Sequence, residues 1–558
     1  MGLVYKSVKE VFEREGLKYP LLNMFLNRGT VIKCAYWQPL GEIRFDKNKG
    51  FFCISDHHDE KAQAFLEYIK ADKIDIAITP EYSVPWHVLQ EVINNKELWP
   101  KYGKLWCLGL EGISSDSLET FCNRNKQNDN LIIETEDLDE ISLNSFFSCI
   151  AYLLYSEKKL VCILQFKTTA ASDRWAELES KSLTPGNTIY YFSDEDENNC
   201  LLSYICADAL NQGISTGKNL LHFQKSIILH PQLNPKPLHN SFNSMRRNFL
   251  DYTKTNTRII SVNWARDTKL RYEDEHLEIN VEDSYTACYY NELATDNMQD
   301  LILRNKQKGI DILKDDHINI WHMPSKEHCM SFTIGGFDAK DVNNVATNHC
   351  EPLGNIYLEY CSGKWDVKEP CECCSIDWEW LESSFDFKKC CANDCEVNKL
   401  HRFFAVLFGK RIYSDIRLKE GFSTVAFNYK NRCVDEVIRL RERCAYVINE
   451  LKTGNVPPKF SKIKEGKYKW VLSERGNLID DGSENGTLMN IVYIDSADEM
   501  LIKKGIMEFQ NLMGEAAKDK MLLYYFTGRG IKYYEKIYNT DISNPNLTEP
   551  IEKINEGR

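Results

Sequence analysis

ITPEYSVPW, residues 78 to 86, places an acidic residue, Glu81, directly after a short apolar run and a proline. The run Ile74, Ile76, Ala77 and Ile78 has the length and composition of a buried strand. A carboxylate at the end of such a strand sits where open α/β enzymes keep catalytic groups, at the carboxyl edge of a sheet. The competing reading is a Glu that ends a strand and faces water, and fold position alone does not separate the two. What decides is whether other chemistry-bearing residues end at the same edge.

On either side of this stretch, short β-rich runs alternate with amphipathic helical patterns, the signature of an α/β domain. GTVIKCAYWQP (29 to 39) reads as a first strand, and DEKAQAFLEYIKAD (59 to 72) as a helix with Ala62, Phe65, Leu66 and Ile69 on one face. After the strand that leads to Glu81, PWHVLQEVINN reads as a helix and KLWCLGLEGI (104 to 113) as a third strand. LVCILQFK (160 to 167), TIYYFS and CLLSYICADA (200 to 209) continue the series, and SIILHPQLN and RIISVNWA flank the helical FNSMRRNFLDYT. Three of the strands end alike: Glu81 follows IAITP, Lys167 follows LVCILQF, and Cys206 follows LLSYI. A thiol attacks a carbonyl or nitrile carbon as thiolate, so a nearby carboxylate can take its proton while a lysine cation stabilises the anionic charge that develops. The backbone N–H of Ala207, just after the thiol, is a candidate second oxyanion donor.

Bulk composition narrows the classes. With 558 residues, 43% of them hydrophobic, the chain is long enough for two or more domains with real cores. A net charge of −13, without an isolated basic run, argues against a general nucleic-acid surface. No stretch has the length and apolarity of a membrane-spanning helix, and MGLVYKSVKEVFEREG is charged from the start, so a cytoplasmic protein without membrane contact is expected. Twenty cysteines without a secretory leader read as packed hydrophobes, metal ligands or a nucleophile rather than a disulfide framework.

The ordered set of features resembles the nitrilase, or carbon–nitrogen hydrolase, superfamily. Gln38 in AYWQP matches the Gln near the end of the family's first strand, and IAITPEYSVP matches its strand, Pro-Glu and aromatic. SYICADAL, with Cys206 and Asp208, matches the strand followed by Cys-x-Asp. WAELESKSLTPGNTIYYF supplies the glutamate, Pro-Gly turn and aromatic strand, and IILHPQ, SMRRNFL and IISVNWA follow in the family's order. The resemblance covers about residues 29 to 270, and more loosely to 335. It implies an α-β-β-α sandwich with Glu81 as general base, Lys167 as oxyanion stabiliser and Cys206 as acyl-forming nucleophile, with no cofactor for catalysis. The family's second glutamate, which helps to position substrate, is assigned to Glu177, with Glu179 as the next choice. The chain departs from the family in KTTAASDRWAE after the lysine and in the small Ala207 after the cysteine, where a bulky residue is usual.

Beyond residue 335 the resemblance ends. Eight cysteines fall between Cys350 and Cys395. Cys371 and Cys374 form a C-x-x-C pair and Cys391 and Cys395 a C-x-x-x-C pair, a set suited to a structural zinc, against a metal-free insertion that binds a partner. From about residue 397, VNKLHRFFAVLFGKRI, NRCVDEVIRLRERCAYVINELKTG and ADEMLIKKGIMEFQNLMGEAAKDKMLLYYF carry apolar residues at helical spacing. The organisation expected is a helical lead-in (1 to 28), a nitrilase-like catalytic domain (29 to 335), a Cys-rich segment (336 to 396) and a mainly helical interaction or oligomerisation region (397 to 558). The expected function is hydrolysis of a non-peptide C–N bond in a small molecule through a Cys206 thioester, by a homo-oligomer with a protein partner at its C-terminal region. The alternative is an inactive nitrilase fold kept for assembly or ligand sensing. A nitrilase-like domain joined to a long extension also resembles the arrangement in some antiphage systems.

Overall fold

A computed structural model of the chain describes residues 3 to 367 with interruptions, the longest at 292 to 310 and 336 to 355. Beyond residue 367 it describes only short segments between 385 and 533. The chain forms two compact units: Met1–Ser375 with Tyr429–Arg439, and Ile376–Asn428 with Leu440–Arg558.

Two large sheets build the first unit. The nine-stranded sheet runs in the order Lys364–Val367, Ile356–Cys361, His328–Gly335, Val31–Gln38, Ile76–Ile78, Leu105–Gly109, Cys149–Ser156, Lys159–Phe166 and Leu131–Glu134. The eight-stranded sheet runs Val4–Ser7, Thr188–Ser193, Asn199–Ser203, Lys225–Pro231, Asn256–Val262, Ala287–Asn291, Ile318–His322 and Asp311–Asp315. Helices His58–Ala71, Trp86–Asn94 and Ser115–Asn125 cover one face of the first sheet, burying Phe65, Leu66, Val88 and Leu118 against Ala35, Trp37, Leu108 and Leu153. On the second sheet, helix Asn240–Asp251 stacks Phe249 on Tyr204. The other faces of the two sheets meet, with Tyr152 against Phe192 and Gln165 Nε2 donating to the Ser203 carbonyl at 2.9 Å. The result is helix, sheet, sheet, helix, with each strand alternating its side chains between a helix-facing and a sheet-facing layer.

Strand direction explains why the site lies at one edge. Val31–Gln38, Ile76–Ile78 and Leu105–Gly109 are parallel, and two antiparallel steps through Cys149–Ser156 return Lys159–Phe166 to that direction. Glu81 and Lys167 therefore leave the sheet at the same edge. In the facing sheet Asn199–Ser203, Lys225–Pro231 and Asn256–Val262 are parallel and deliver Cys206 after Ser203.

Several elements differ from the sequence reading. The lead-in opens with a strand, Val4–Ser7, paired in parallel with Thr188–Ser193, before helix Val8–Arg14. The first sheet continues past residue 335 into the hairpin Ile356–Cys361 and Lys364–Val367, whose Trp365 donates its indole N–H to the Lys61 carbonyl on helix His58–Ala71. Cys371, Cys374, Cys391 and Cys395 lie outside the described residues. In the region expected to be mainly helical, 397 to 558, the described residues are largely strands: Lys469–Ser473 and Gly476–Asp480, which share a sheet with Phe385–Asp386 of the Cys-rich segment, and Asn490–Ile494, Met521–Phe526 and Ile531–Tyr533 in another. MLLYYF, read as the end of a helical run, is an unbroken apolar and aromatic segment, a composition that fits a buried strand better than a helix face. Among the described residues no helix is long and apolar enough to cross a membrane.

Candidate functional site

Glu81 is placed by backbone packing. Thr79 N donates to the Cys107 carbonyl at 3.0 Å and Thr79 Oγ1 accepts from Gly109 N at 2.8 Å, so the chain stays bound to the neighbouring strand as it leaves the sheet. It then crosses directly over Gly109, where an added Cβ would stand 1.9 Å from the Pro80 carbonyl oxygen; only glycine allows that approach. Tyr82 adopts φ 61°, a left-handed conformation uncommon for a bulky residue, and so turns the chain sharply after the carboxylate. Trp264 Nε1 donates to the Glu81 carbonyl at 2.7 Å, and the Trp264 ring stacks on His58, which bonds the Ser83 carbonyl at 2.8 Å.

Lys167 follows strand Lys159–Phe166, with its N–H donating to the Ser148 carbonyl and its carbonyl accepting from Gly186 N of the Pro-Gly turn. Its ammonium is buried between two carboxylates, 2.9 Å from Glu81 Oε1 and 2.8 and 2.9 Å from the two oxygens of Glu179. The side chains of Lys167 and Glu81 are each 1% exposed and that of Glu179 5%, so the pairing operates in a poorly solvated environment. Burial opposes the Lys167 charge, yet Glu179 and Glu81 together hold it well above the ordinary lysine range. Burial pushes the Glu81 carboxyl up, Lys167 opposes this, and Glu179 reinforces it. Ser148 Oγ also donates to Glu81 Oε1, at 3.0 Å.

Glu179, the next choice after Glu177, is the glutamate of this segment that meets Lys167. Its two oxygens hold Lys167, and they also accept from Tyr82 Oη at 3.1 Å and Ala171 N at 2.8 Å. Glu177 lies in the same short helix, Ala176–Ser182, and its side chain falls outside the described residues. The two positions are half a turn apart on that helix, so spacing from Lys167 could not choose between them.

Cys206 begins the 3-10 turn Cys206–Leu210 and adopts φ 43°. The thiol is buried and interacts with the charges of all three groups: burial and Glu81 push it well above the ordinary thiol range, and Lys167 pulls it down. Asp208 makes the Cys-x-Asp pattern intelligible. Its Oδ2 accepts from Ile205 N at 3.1 Å, and its Oδ1 accepts from Thr168 N and Thr169 N at 2.7 and 2.8 Å and from Thr168 Oγ1 at 2.9 Å, tying the cysteine turn to the loop after Lys167. Burial pushes its carboxyl up to about 7 against those donors.

The structure therefore brings together Glu81, Lys167, Glu179 and Cys206 from four separated parts of the sequence. Gln38, at the end of its strand, instead donates from Nε2 to the carbonyls of Pro324 and Lys326 and anchors the loop between Ile318–His322 and His328–Gly335. Ser148, Gly109 and the hydroxyl of Tyr82 escaped the sequence reading. A signal existed for Gly109, a lone glycine inside an apolar strand pattern, which often marks a close backbone approach. An aromatic shell of Phe45, Phe51, Tyr82, Phe146 and Trp264, joined by the partly exposed Leu178 and Leu233, packs beside these groups.

No family model matches the chain, and no curated protein matches it in sequence. Solved structures do resemble it. An amidase from Nesterenkonia sp. is 10% identical, covering 54% of this chain and 93% of its own, with a TM-score of 0.26. Saccharomyces cerevisiae Nit3, described as a member of branch 10 of the nitrilase superfamily, is 12% identical over 48% of this chain and 84% of its own, with a TM-score of 0.28. The glutamine-dependent NAD+ synthetase from Acinetobacter baumannii is 10% identical over 46% of this chain and 41% of its own, also with a TM-score of 0.28.

Proposed function

We propose that the first unit is a carbon–nitrogen hydrolase that cleaves a small amide or nitrile through a thioester on Cys206. The observation that carries this reading is the buried Lys167 ammonium held between Glu81 and Glu179 beside a thiol in a left-handed turn. A merely structural ion pair has no need of a nucleophile within range of its charges, and burial of so many ionisable groups is a feature of sites that do chemistry.

For an amide, the Cys206 proton passes to Glu81 as the sulfur adds to the carbonyl carbon, and the oxygen takes up the electron pair of the C=O bond as an oxyanion. Lys167 faces that charge, exchanging one of its two contacts with Glu179 for the oxyanion, and the Ala207 N–H is the second donor. Collapse of the adduct breaks the C–N bond, and protonated Glu81 returns its proton to the departing amine. Glu81 then takes a proton from water as the water adds to the thioester, and the acid leaves with the thiol restored. Because burial and Glu81 raise the Cys206 pKa, the sulfur attacks as Glu81 takes its proton, whether the electrophile is a substrate or an alkylating reagent. Glu179, with its oxygens already engaged by Lys167, Tyr82 and Ala171, acts by fixing the ammonium.

The test is ammonia release from a panel of small aliphatic and aromatic amides and nitriles, with the Cys206 peptide analysed by mass spectrometry for the acyl adduct. Release that depends on Cys206, together with an adduct on that peptide, is expected. Release that persists in Cys206→Ala, or its absence across the panel with no adduct formed, would overturn the reading. The long extension after the first unit extends the proposal to antiphage defence, for which loss of protection against phage in Cys206→Ala is the measurement.

A further inference from the structure

The left-handed backbone at Cys206 is an arrangement that a non-glycine residue adopts only when its surroundings impose it. The group that meets its carbonyl is a histidine. His230, near the end of strand Lys225–Pro231 and fully buried, places Nε2 at 2.9 Å from the Cys206 carbonyl oxygen. A carbonyl can only accept, so the ring must carry its proton on Nε2. With Nε2 committed as donor to that carbonyl, Nδ1 is left as the acceptor; Gln232 Nε2, 2.7 Å from Nδ1 and 3.1 Å from Nε2, and Ser261 Oγ, 3.4 Å from Nδ1, face this side of the ring, and Asn234 Nδ2 donates to Gln232 Oε1 at 3.5 Å. Gln232 donates, Nδ1 accepts, and the imidazole is held neutral with its proton directed at the nucleophile's backbone. Burial lowers the His230 pKa to about 4, in keeping with a neutral ring.

The chain of bonds continues to the other catalytic group. Asn234 N donates to Asn263 Oδ1 at 3.0 Å, and Asn263 Nδ2 donates back to the Asn234 carbonyl at 2.8 Å. The same Asn263 Oδ1 accepts from Trp264 N at 3.0 Å, and Trp264 Nε1 reaches the Glu81 carbonyl. Every member of this path is buried.

We infer that His230, Gln232, Asn234, Asn263 and Trp264 form a positioning frame that ties the backbone of Cys206 to the backbone of Glu81, with His230 holding the nucleophile in its left-handed conformation. None of the five needs to touch substrate; they act through the two residues they fix. The inference rests on the proposed role of Cys206 and Glu81. A fully satisfied buried network has little freedom to relax, so it suits the task of keeping a thiol and its base in register from two different sheets.

The experiment is peptide-resolved alkylation of the full chain by iodoacetamide across a range of pH, in wild type, His230→Leu and His230→Gln. Cys107 and Cys200, buried in a strand of each sheet, serve as internal reporters of an opened fold. His230→Leu should slow Cys206 by about tenfold and alter its pH profile while Cys107 and Cys200 stay protected. His230→Gln, whose amide N–H can stand near the position of the ring Nε2–H, should recover most of the rate. If His230→Leu exposes all three cysteines, Asn263→Asp takes its place; it removes the Nδ2 donor far from the thiol and should slow Cys206 in the same direction. Unchanged Cys206 rates in folded His230→Leu, or in Asn263→Asp where that replaces it, with a fast wild type, would overturn the frame and leave the hydrolase reading standing. A wild-type Cys206 no faster than Cys107 would remove both.

Discussion

Replacing Lys167 by methionine tests the centre of the site, because it removes the charge and keeps most of the chain's length. Two carboxylates lie 2.8 and 2.9 Å from the ammonium, and at an effective dielectric of about 20 each contact carries a gross attraction of about 6 kcal/mol. Most of that attraction offsets the desolvation of the three ions, and removing one partner from a buried pair leaves a net loss of about 3–5 kcal/mol. Glu81 and Glu179 would then face each other unscreened, and one of them should hold a proton at neutral pH. The sign of the pH dependence follows. In wild type the Lys167 pKa is raised on folding, so its stabilising effect is fully present below the ordinary lysine value of 10.5 and level across the neutral range. In the variant a carboxyl pKa lies further above its unfolded value near 4.5, so the folded chain holds a proton that the unfolded chain releases, and stability falls as pH rises. The gap between wild type and Lys167→Met should therefore widen between about pH 5 and pH 8, by up to about 1.4 kcal/mol per pH unit for one proton. Urea unfolding followed by tryptophan fluorescence at several pH values measures it. A loss below about 1 kcal/mol that is level with pH would show an interaction no stronger than an exposed ion pair, and would refute the buried-triad reasoning.

Ser148→Ala removes a donor that lowers the Glu81 pKa, so the base should lose its proton only at higher pH; the acidic limb of the kcat/KM profile should move up by about half a unit to one unit, with the fold unchanged. A limb that stays in place, or moves down, would separate Glu81 from the base role. Gly109→Ala should force the Pro80–Glu81 backbone away from its strand, destabilising the chain by about 1–3 kcal/mol and lowering kcat far more than it raises KM. Wild-type kcat in that variant would mean that the close approach at Gly109 does not set the position of Glu81.

How much of this was legible without a structure differs from residue to residue. Glu81, Lys167 and Cys206 stand out as candidates because each follows an apolar strand, and a strand is visible as a composition and a length. Glu81 and Lys167 leave one sheet at the same edge, but Cys206 comes from the facing sheet, so the meeting of the three depended on how the two sheets pack. The choice between Glu177 and Glu179 was beyond spacing, since a short helix after a loop can be rotated to present either. Only the packing that turned Glu179 toward Lys167, Tyr82 and Ala171 made the choice. Trp264 was legible as part of a strand-ending IISVNWA, but its bond to the Glu81 carbonyl joins residues 183 positions apart. MLLYYF failed as a helix because a run that is apolar on every side carries no period to read, and its strand partner Asn490–Ile494 is what completes its hydrogen bonds.

Sequence by itself determined the α/β class of the first unit, the three strand-ending candidates and the Pro-Glu-aromatic, Pro-Gly and Cys-x-Asp features around them, because these follow from local composition and chain order. Tertiary structure alone decided the ion pairing of Lys167 with two buried carboxylates, the left-handed backbone at Tyr82 and Cys206, the tautomer of His230 and the path of bonds from Cys206 to Glu81. Those depend on desolvation and on groups brought within about 3 Å of each other from distant parts of the chain, and neither quantity is a property of any short stretch of residues.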